Sequence, residues 1–424
     1  MVYVSYNDKG LTELPKLSNT VTELLCDYNK LTKLPTELPP NLEELHCYSN
    51  LLTELPNLPN TLTLIYCGKN KLTTLPTELP PNLEELHCEE NMLIDLPALN
   101  NLIDIKCGGN KLTVLPTLPN TLLSLYCESN QLSTIPNIPP ALFELNCSKN
   151  KLTVLPPLPD TMSNLYCKSN QLSTIPNLPP AIDELICSDN KLTVLPHLPD
   201  TMLVLYCESN QLSAIPNIPP AINELICSDN KLIVLPHLPD TMRILYCDSN
   251  QLSVIPNLPP ALLELNCNNN SIIFLPNLGN ATKLTWLNCK NNKIRTFFKE
   301  QDYSIPTALT HIECDWDRLD GHCIDRLFAS LRGGRPFDNE TAAEIIKMNE
   351  KYSQEQNDAV ALMSSKNLKG NIPADVVDND ILMSAVRPYK STRRSGGKKK
   401  TKKSRKTKKS RKTKKSRKTK KSRK

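Results

Sequence analysis

Five tyrosines, Tyr66, Tyr126, Tyr166, Tyr206 and Tyr246, each stand immediately before a cysteine, and the last four are 40 residues apart. In the intervening stretches, three residues before a cysteine, stand Glu144, Glu184, Glu224 and Glu264. Tyrosine joins a large apolar ring to a hydroxyl at a low cost in side-chain entropy, which is why it is enriched at binding hot spots. A tyrosine stripe flanked by carboxylates suits a protein or peptide that carries basic residues. The competing reading is that duplication copied one surface tyrosine along the chain and that nothing binds it. The cysteines could do thiol chemistry, but fifteen of the sixteen recur at one place in a repeated phrase. Stacked about 4.8 Å apart with their Cβ atoms parallel, they have poor geometry for disulfides. They also lack the C-x-x-C pairs of a metal site. Free, buried thiols follow, and with them a reducing, intracellular compartment.

The remaining candidates are fewer. His46 and His87 lie two repeats apart, too far to share a metal whose ligands sit about 2 Å from it. His311, Cys314, His322 and Cys323 cluster in sequence, but their spacing matches no standard zinc pattern, and Cys314 already fills a repeat position. His197 and His237 fall in Pro-rich surface segments. No Ser-His-Asp set, phosphate loop or paired-carboxylate motif stands out, so no catalytic residue, metal or cofactor is assigned. The net charge of +6 conceals two regions: 21 of the 50 Lys and Arg lie in 393–424 with no acid, leaving 29 basic against 44 acidic before them, a net of −15. In that tail Arg393, Arg394, Lys398, Lys399, Lys400, Lys402, Lys403, Arg405 and Lys406 open a run that ends in four copies of TKKSRK. Such a run self-repels, stays disordered in isolation, and can neutralise phosphates in a salt-sensitive, sequence-independent way. It has no aromatic residue to stack on bases. Nuclear targeting and an anionic membrane surface are alternative uses of the same charge.

The elements that position these residues come from the phrase L-x-x-L-x-C-x-x-N-x-L. Its asparagine stands at Asn29, Asn50, Asn70, Asn91 and Asn110, then every 20 residues from Asn130 to Asn270, and again at Asn292. A further copy runs Leu309, Ile312, Cys314, Asp317, Leu319, with Asp in the place of Asn. This period and pattern are the signature of a leucine-rich repeat solenoid. The segment before each Cys reads as a short parallel strand on the concave face. The L-P-x-L-P that follows excludes an α-helix and fits an extended, polyproline-like convex side. The Asn amide is suited to backbone groups left unpaired between repeats. The expected organisation is a degenerate N-terminal capping repeat over 1–20, about fifteen repeats over 21–319, a helical C-terminal cap over 320–390 and a disordered basic tail over 391–424. In the cap, Asp320 caps a helix ended by Gly333-Gly334, and 339–352 and 354–365 are two further helices. The opening MVYVSYNDKG has neither the basic nor the apolar region of a secretory signal, and no apolar run reaches the length of a membrane span.

The 20-residue units with repeated L-P-x-L-P resemble the leucine-rich repeats of bacterial type III effectors, including the ubiquitin-ligase effectors of Shigella and Salmonella. The Cys-rich repeats joined to an SGGKKK tail are similar to leucine-rich repeat proteins of large amoeba-infecting DNA viruses. The first resemblance implies a catalytic domain after the repeats with a Cys-x-Asp nucleophile. The local Cys314-Asp315-Trp316-Asp317 lacks Asp at the second place after Cys, and 320–390 is too short for such a domain, so the activity is not carried over. The expected molecule is a non-enzymatic, monomeric interaction scaffold of the host cytoplasm or virion, or of the nucleus through its tail. Its partner would be a host or viral protein, with nucleic acid bound by the tail. A ligase with its thioester on Cys314 or Cys323, and a nucleic-acid-associated virion protein, are the alternatives.

Overall fold

Sixteen strands of three residues each, from β1 (Tyr3–Ser5) and β2 (Glu23–Leu25) to β16 (His311–Glu313), follow one another in chain order in the computed structural model, which describes residues 2–300, 302–334 and 337–365. Every strand pairs in parallel with the next, so the sheet order is the sequence order. The register is rung on rung: Leu185 lies beside Leu165 on one side and Leu205 on the other. The central residue of each strand from β2 to β16 is buried and its two neighbours face the other way, partly exposed except at His87 and Asn288, which are buried as well. That alternation is what a period of two demands. The phrase's other apolar residue and its cysteine fill the interior beside it: Leu142, Ile182 and Leu262, which hold equivalent places, and Cys147 and Cys267 have no exposed surface. All sixteen cysteines are buried and free.

The asparagines tie the rungs together. Asn190 donates to the carbonyls of Cys167 (3.0 Å) and Cys187 (3.1 Å), and its Oδ1 accepts from the backbone N–H of Leu172 (2.9 Å). The same contacts recur at Asn50, Asn130 and Asn270. The ladder reaches the first rung, where Asn29 donates to the Tyr6 carbonyl and accepts from Leu11. It stops at Asn292. Asp317, which stands in the Asn place, is exposed in a short 3-10 turn, Trp316–Arg318, and does not continue the ladder. A carboxylate has no N–H to offer the cysteine carbonyls and would be buried as a charge. The residue before each Asn is left-handed in every rung (Ser209 φ 53, Asp229 φ 51), and only Gly109 among these is glycine.

The Pro-rich segments contain no α-helix among the described residues, and one 3-10 turn, Leu278–Asn280, interrupts them. Helix α1 (Gly321–Arg332) starts where Asp320 accepts from the Cys323 N–H (2.6 Å) and ends at Gly333. It buries Cys323, Ile324 and Leu327. Helix α2 (Asn339–Ser365) is one unbroken helix rather than the two read from the sequence, because Ser353 continues the helical turn without a breaker on either side. Its first turn caps the last strand: Asp338 Oδ1 accepts from the Thr341 N–H (2.8 Å), and the Thr341 hydroxyl accepts from Ile312 (3.0 Å). Its own Ile345 and Met348 are buried. The segment 366–390 and the basic tail, including Arg393 to Lys406, lie outside the described residues.

Candidate functional site

The outward residues of each strand form two columns on the concave face. In one column Tyr126, Tyr166, Tyr206 and Tyr246 alternate with Asn146, Ile186 and Ile226; in the other Glu144, Glu184, Glu224 and Glu264 alternate with Asn164, Val204 and Ile244. Because the register is rung on rung, each tyrosine reaches the carboxylate of the next rung. Tyr166 donates to Glu184 (2.7 Å), Tyr206 to Glu224 (2.6 Å) and Tyr246 to Glu264. Tyr126 is paired in the same way with Glu144. The two groups named separately on the sequence are thus one hydrogen-bonded unit repeated every second rung. Burial, the bond to glutamate and the surrounding negative charge push the Tyr246 hydroxyl up to about 12, and the others rise for the same reasons.

Tyr66 belongs to a different cluster. It donates to Glu85 (3.0 Å) and is walled by two imidazoles, His87 stacked at 4.2 Å and His46 edge-on at 4.7 Å. His87 in turn contacts Asp104 (3.2 Å). Burial raises the Asp104 carboxyl, yet hydrogen bonds from His87 and Ser124 outweigh it and hold the group low. Tyr126 carries the chain's own cation, with Lys106 Nζ 5.6 Å from its ring centre. Among the described residues that leaves Tyr166 and Tyr206 without an aromatic or cationic neighbour over the ring, while Tyr246 has Trp286 tilted beside it at 6.2 Å.

Two further columns escape a reading of the strands alone. Just before them, Leu123, Phe143 and Leu203 are exposed and extend the apolar part of the face. Just after the cysteine, in two rungs a carboxylate leans across the glycine of the preceding rung. A methyl group on Gly68 would come within 2.6 Å of Glu89, and one on Gly108 within 2.4 Å of Glu128. One oxygen each of Glu89, Glu128 and Glu208 is shielded from solvent and has no hydrogen-bond partner. Burial raises the Glu128 carboxyl accordingly. The sequence signal was there: small and acidic residues alternate at this place, as in Gly108 and Glu128 or Ser188 and Glu208.

The thiols do not form a reactive site. Cys314 and Cys323 are buried, and burial pushes the Cys323 thiol up to about 12 and holds the Cys314 thiol well above its ordinary value. A thiol held protonated is a poor nucleophile. His311 is drawn away from Cys314 into bonds with Asp338 and Glu313, which raise it against the opposing effect of burial, and His322 is exposed. Among the described residues, one trio of potential metal donors comes together within 4.8 Å: Glu23, Glu44 and His46, on β2 and the strand Glu44–His46. There His46 Nε2 lies 3.3 Å from a Glu44 carboxylate oxygen, within hydrogen-bond distance. No described helix is long and apolar enough to cross a membrane.

Solved structures give the relatives of this architecture. The chain is similar to YopM, a leucine-rich effector protein from Yersinia pestis, at 31% identity and a TM-score of 0.66, over 74% of this chain and 88% of that one. YopM from Yersinia enterocolitica aligns at 27% identity and a TM-score of 0.56, over 74% and 91%. A leucine-rich repeat protein of Leptospira interrogans aligns at 25% identity and a TM-score of 0.56, over 69% and 90%. No protein-family profile matches the chain, and no curated protein matches it.

Proposed function

This chain is a leucine-rich repeat protein, and from that premise we propose that it is a non-enzymatic scaffold that holds a partner protein on its concave face. The observation that carries the reading is the ladder of Tyr–Glu pairs at every second rung. Such a face offers flat apolar area, fixed acceptors and little side-chain entropy left to lose on binding. Repeat solenoids use their concave surfaces in this way. The buried, high-pKa thiols support a non-catalytic role and a reducing compartment. A kinship with large amoeba-infecting viruses is part of the proposal and is supported by the sequence alone, through the Cys-rich phrase joined to the basic tail.

Affinity capture from nuclease-treated cell lysate tests the proposal, using the full chain beside the Tyr166→Ala/Tyr206→Ala/Tyr246→Ala variant. A protein held by the first and reduced at least tenfold in the second places recognition on the ladder. Equal capture by both refutes it.

The tail supports a second, independent activity. Its 21 basic residues over 393–424 suit a polyanion such as nucleic acid. Duplex DNA affinity that falls steeply with salt, and that disappears on deletion of 393–424, is the expected result. Retention of that affinity after deletion overturns it.

A further inference from the structure

The pairs Tyr126–Glu144, Tyr166–Glu184, Tyr206–Glu224 and Tyr246–Glu264 recur every second rung. With parallel strands about 4.8 Å apart, the step is about 9.6 Å. A β-strand partner laid along this axis would turn successive side chains to opposite faces, so residues three apart would point opposite ways. A polyproline II segment behaves differently. It has three residues per turn and rises about 3.1 Å per residue, so every third side chain returns to the same face after about 9.3 Å. Over the three steps between four pairs the mismatch accumulates to only about 1 Å.

The chemistry of the face fixes which side chain recurs. Each tyrosine hydroxyl occupies one acceptor site of its glutamate and leaves the rest of the carboxylate open. The Tyr ring beside it offers a π face for a cation. Lys106 over Tyr126 already makes this contact from within the chain, at 5.6 Å. The buried oxygens of Glu128 and Glu208, two residues beyond Tyr126 and Tyr206, have no donor of their own. Both glutamates add negative charge at those tyrosines. Lys168 Nζ already lies 3.5 Å from the other oxygen of Glu208, so among the described residues it is the ladder carboxylates Glu184, Glu224 and Glu264 that have no basic side chain in ion-pair range.

We propose that the segment bound by this face is a polyproline II peptide of the partner that carries Lys or Arg at every third residue, one for each Tyr–Glu pair. The inference rests on the scaffold reading above and adds the chemical class and spacing of the ligand. A suitable probe is spelled in this chain: residues 401–424 repeat Thr/Ser, Lys/Arg, Lys with a period of three.

The test uses the full chain and a labelled synthetic peptide of residues 401–418, followed by fluorescence anisotropy at near-physiological salt. A second peptide has the same composition with all basic residues gathered at one end. The periodic peptide is expected to bind at least tenfold tighter than the clustered one. The Glu184→Gln/Glu224→Gln/Glu264→Gln variant, which keeps an acceptor for each tyrosine, should lose that difference while its melting temperature stays put. Equal affinity for the two peptides, or an unchanged preference in the variant, overturns the proposal and reduces the face to bulk charge. If the peptides fail while tyrosine-dependent capture from lysate persists, the ligand class is wrong and the scaffold reading stands.

Discussion

Replacing Asn190 with Ala isolates what the asparagine ladder contributes. The three carbonyls that Asn190 serves keep other donors: Cys167 retains Asn170 (3.1 Å), Cys187 retains Asn210 (3.1 Å), and Ser188 retains the Ser169 N–H (2.9 Å). The backbone N–H of Leu172 keeps nothing, because Asn190 Oδ1 is its acceptor and Leu172 is fully buried. An orphaned buried donor costs about 1–3 kcal/mol, and the loss of the remaining bonds adds about 1 kcal/mol. The sum, about 2–4 kcal/mol, falls on one rung. Hydrogen exchange at the Leu172 amide should therefore speed up by about 30- to 1,000-fold, since 1.36 kcal/mol is a factor of ten. The Leu132 and Leu252 amides, which use Asn150 and Asn270, should change much less. If Leu172 stays protected while the denaturation midpoint drops, the asparagine acts by packing alone and the hydrogen-bond argument is wrong.

Other outcomes follow from the same interior. Native protein should expose almost none of its sixteen thiols to a disulfide reagent at pH 8, and all sixteen in denaturant; ready titration of half of them would contradict the buried ladder. Stability should fall as pH rises from about 9 to about 12, read by denaturant midpoints. Cys147, Cys187 and Cys267 are pushed up to about 12 by burial, as are the Tyr66 and Tyr246 hydroxyls, so the unfolded chain loses these protons first and high pH favours unfolding. Cys187→Ser should destabilise more than Cys187→Ala, because a hydroxyl without a partner in this interior costs about 1–3 kcal/mol; the reverse order in thermal melts would count against a dry ladder. Gly109→Val, at φ 66, should cost about 1–3 kcal/mol, whereas Ser209→Gly at φ 53 should be nearly neutral, both read from denaturation midpoints.

The strands, the cysteine interior and the asparagine role were legible because each repeat writes them with the same residues. Leu, Cys and Asn are restricted there by volume and donor geometry, so the pattern survives twenty-residue copying. The left-handed residue before each Asn was not legible. Tyr28, Ser49, Lys69, Glu90 and Asp229 all occupy it, since the neighbouring rungs hold the turn whatever the side chain. The Tyr–Glu bonds were half visible. Both columns could be read, but linking Tyr206 to Glu224 requires the register, which no single repeat contains. The separate standing of Tyr66 depends on the rings of His46 and His87 in adjacent rungs. Asp317 looked like an asparagine by spacing, but it has no N–H to donate and would bury a charge, and it is exposed at the surface. The continuity of α2 across Ser353 turned on a residue that neither favours nor forbids a helix.

The alternation of rungs gives this surface a quantised length. Excising one 40-residue block, such as 171–210, would bring together neighbours of the same two kinds as before, so every seam would already have a precedent in the chain. Excising 20 residues would set two tyrosine rungs side by side and leave one hydroxyl facing a Val or Ile where its glutamate had been. Growth and loss by recombination can therefore lengthen or shorten the Tyr–Glu ladder in steps of about 9.6 Å per block, without redesigning a single contact. If the proposed ligand is bound there, a lineage carrying such a chain could tune how many of its residues are engaged simply by counting copies.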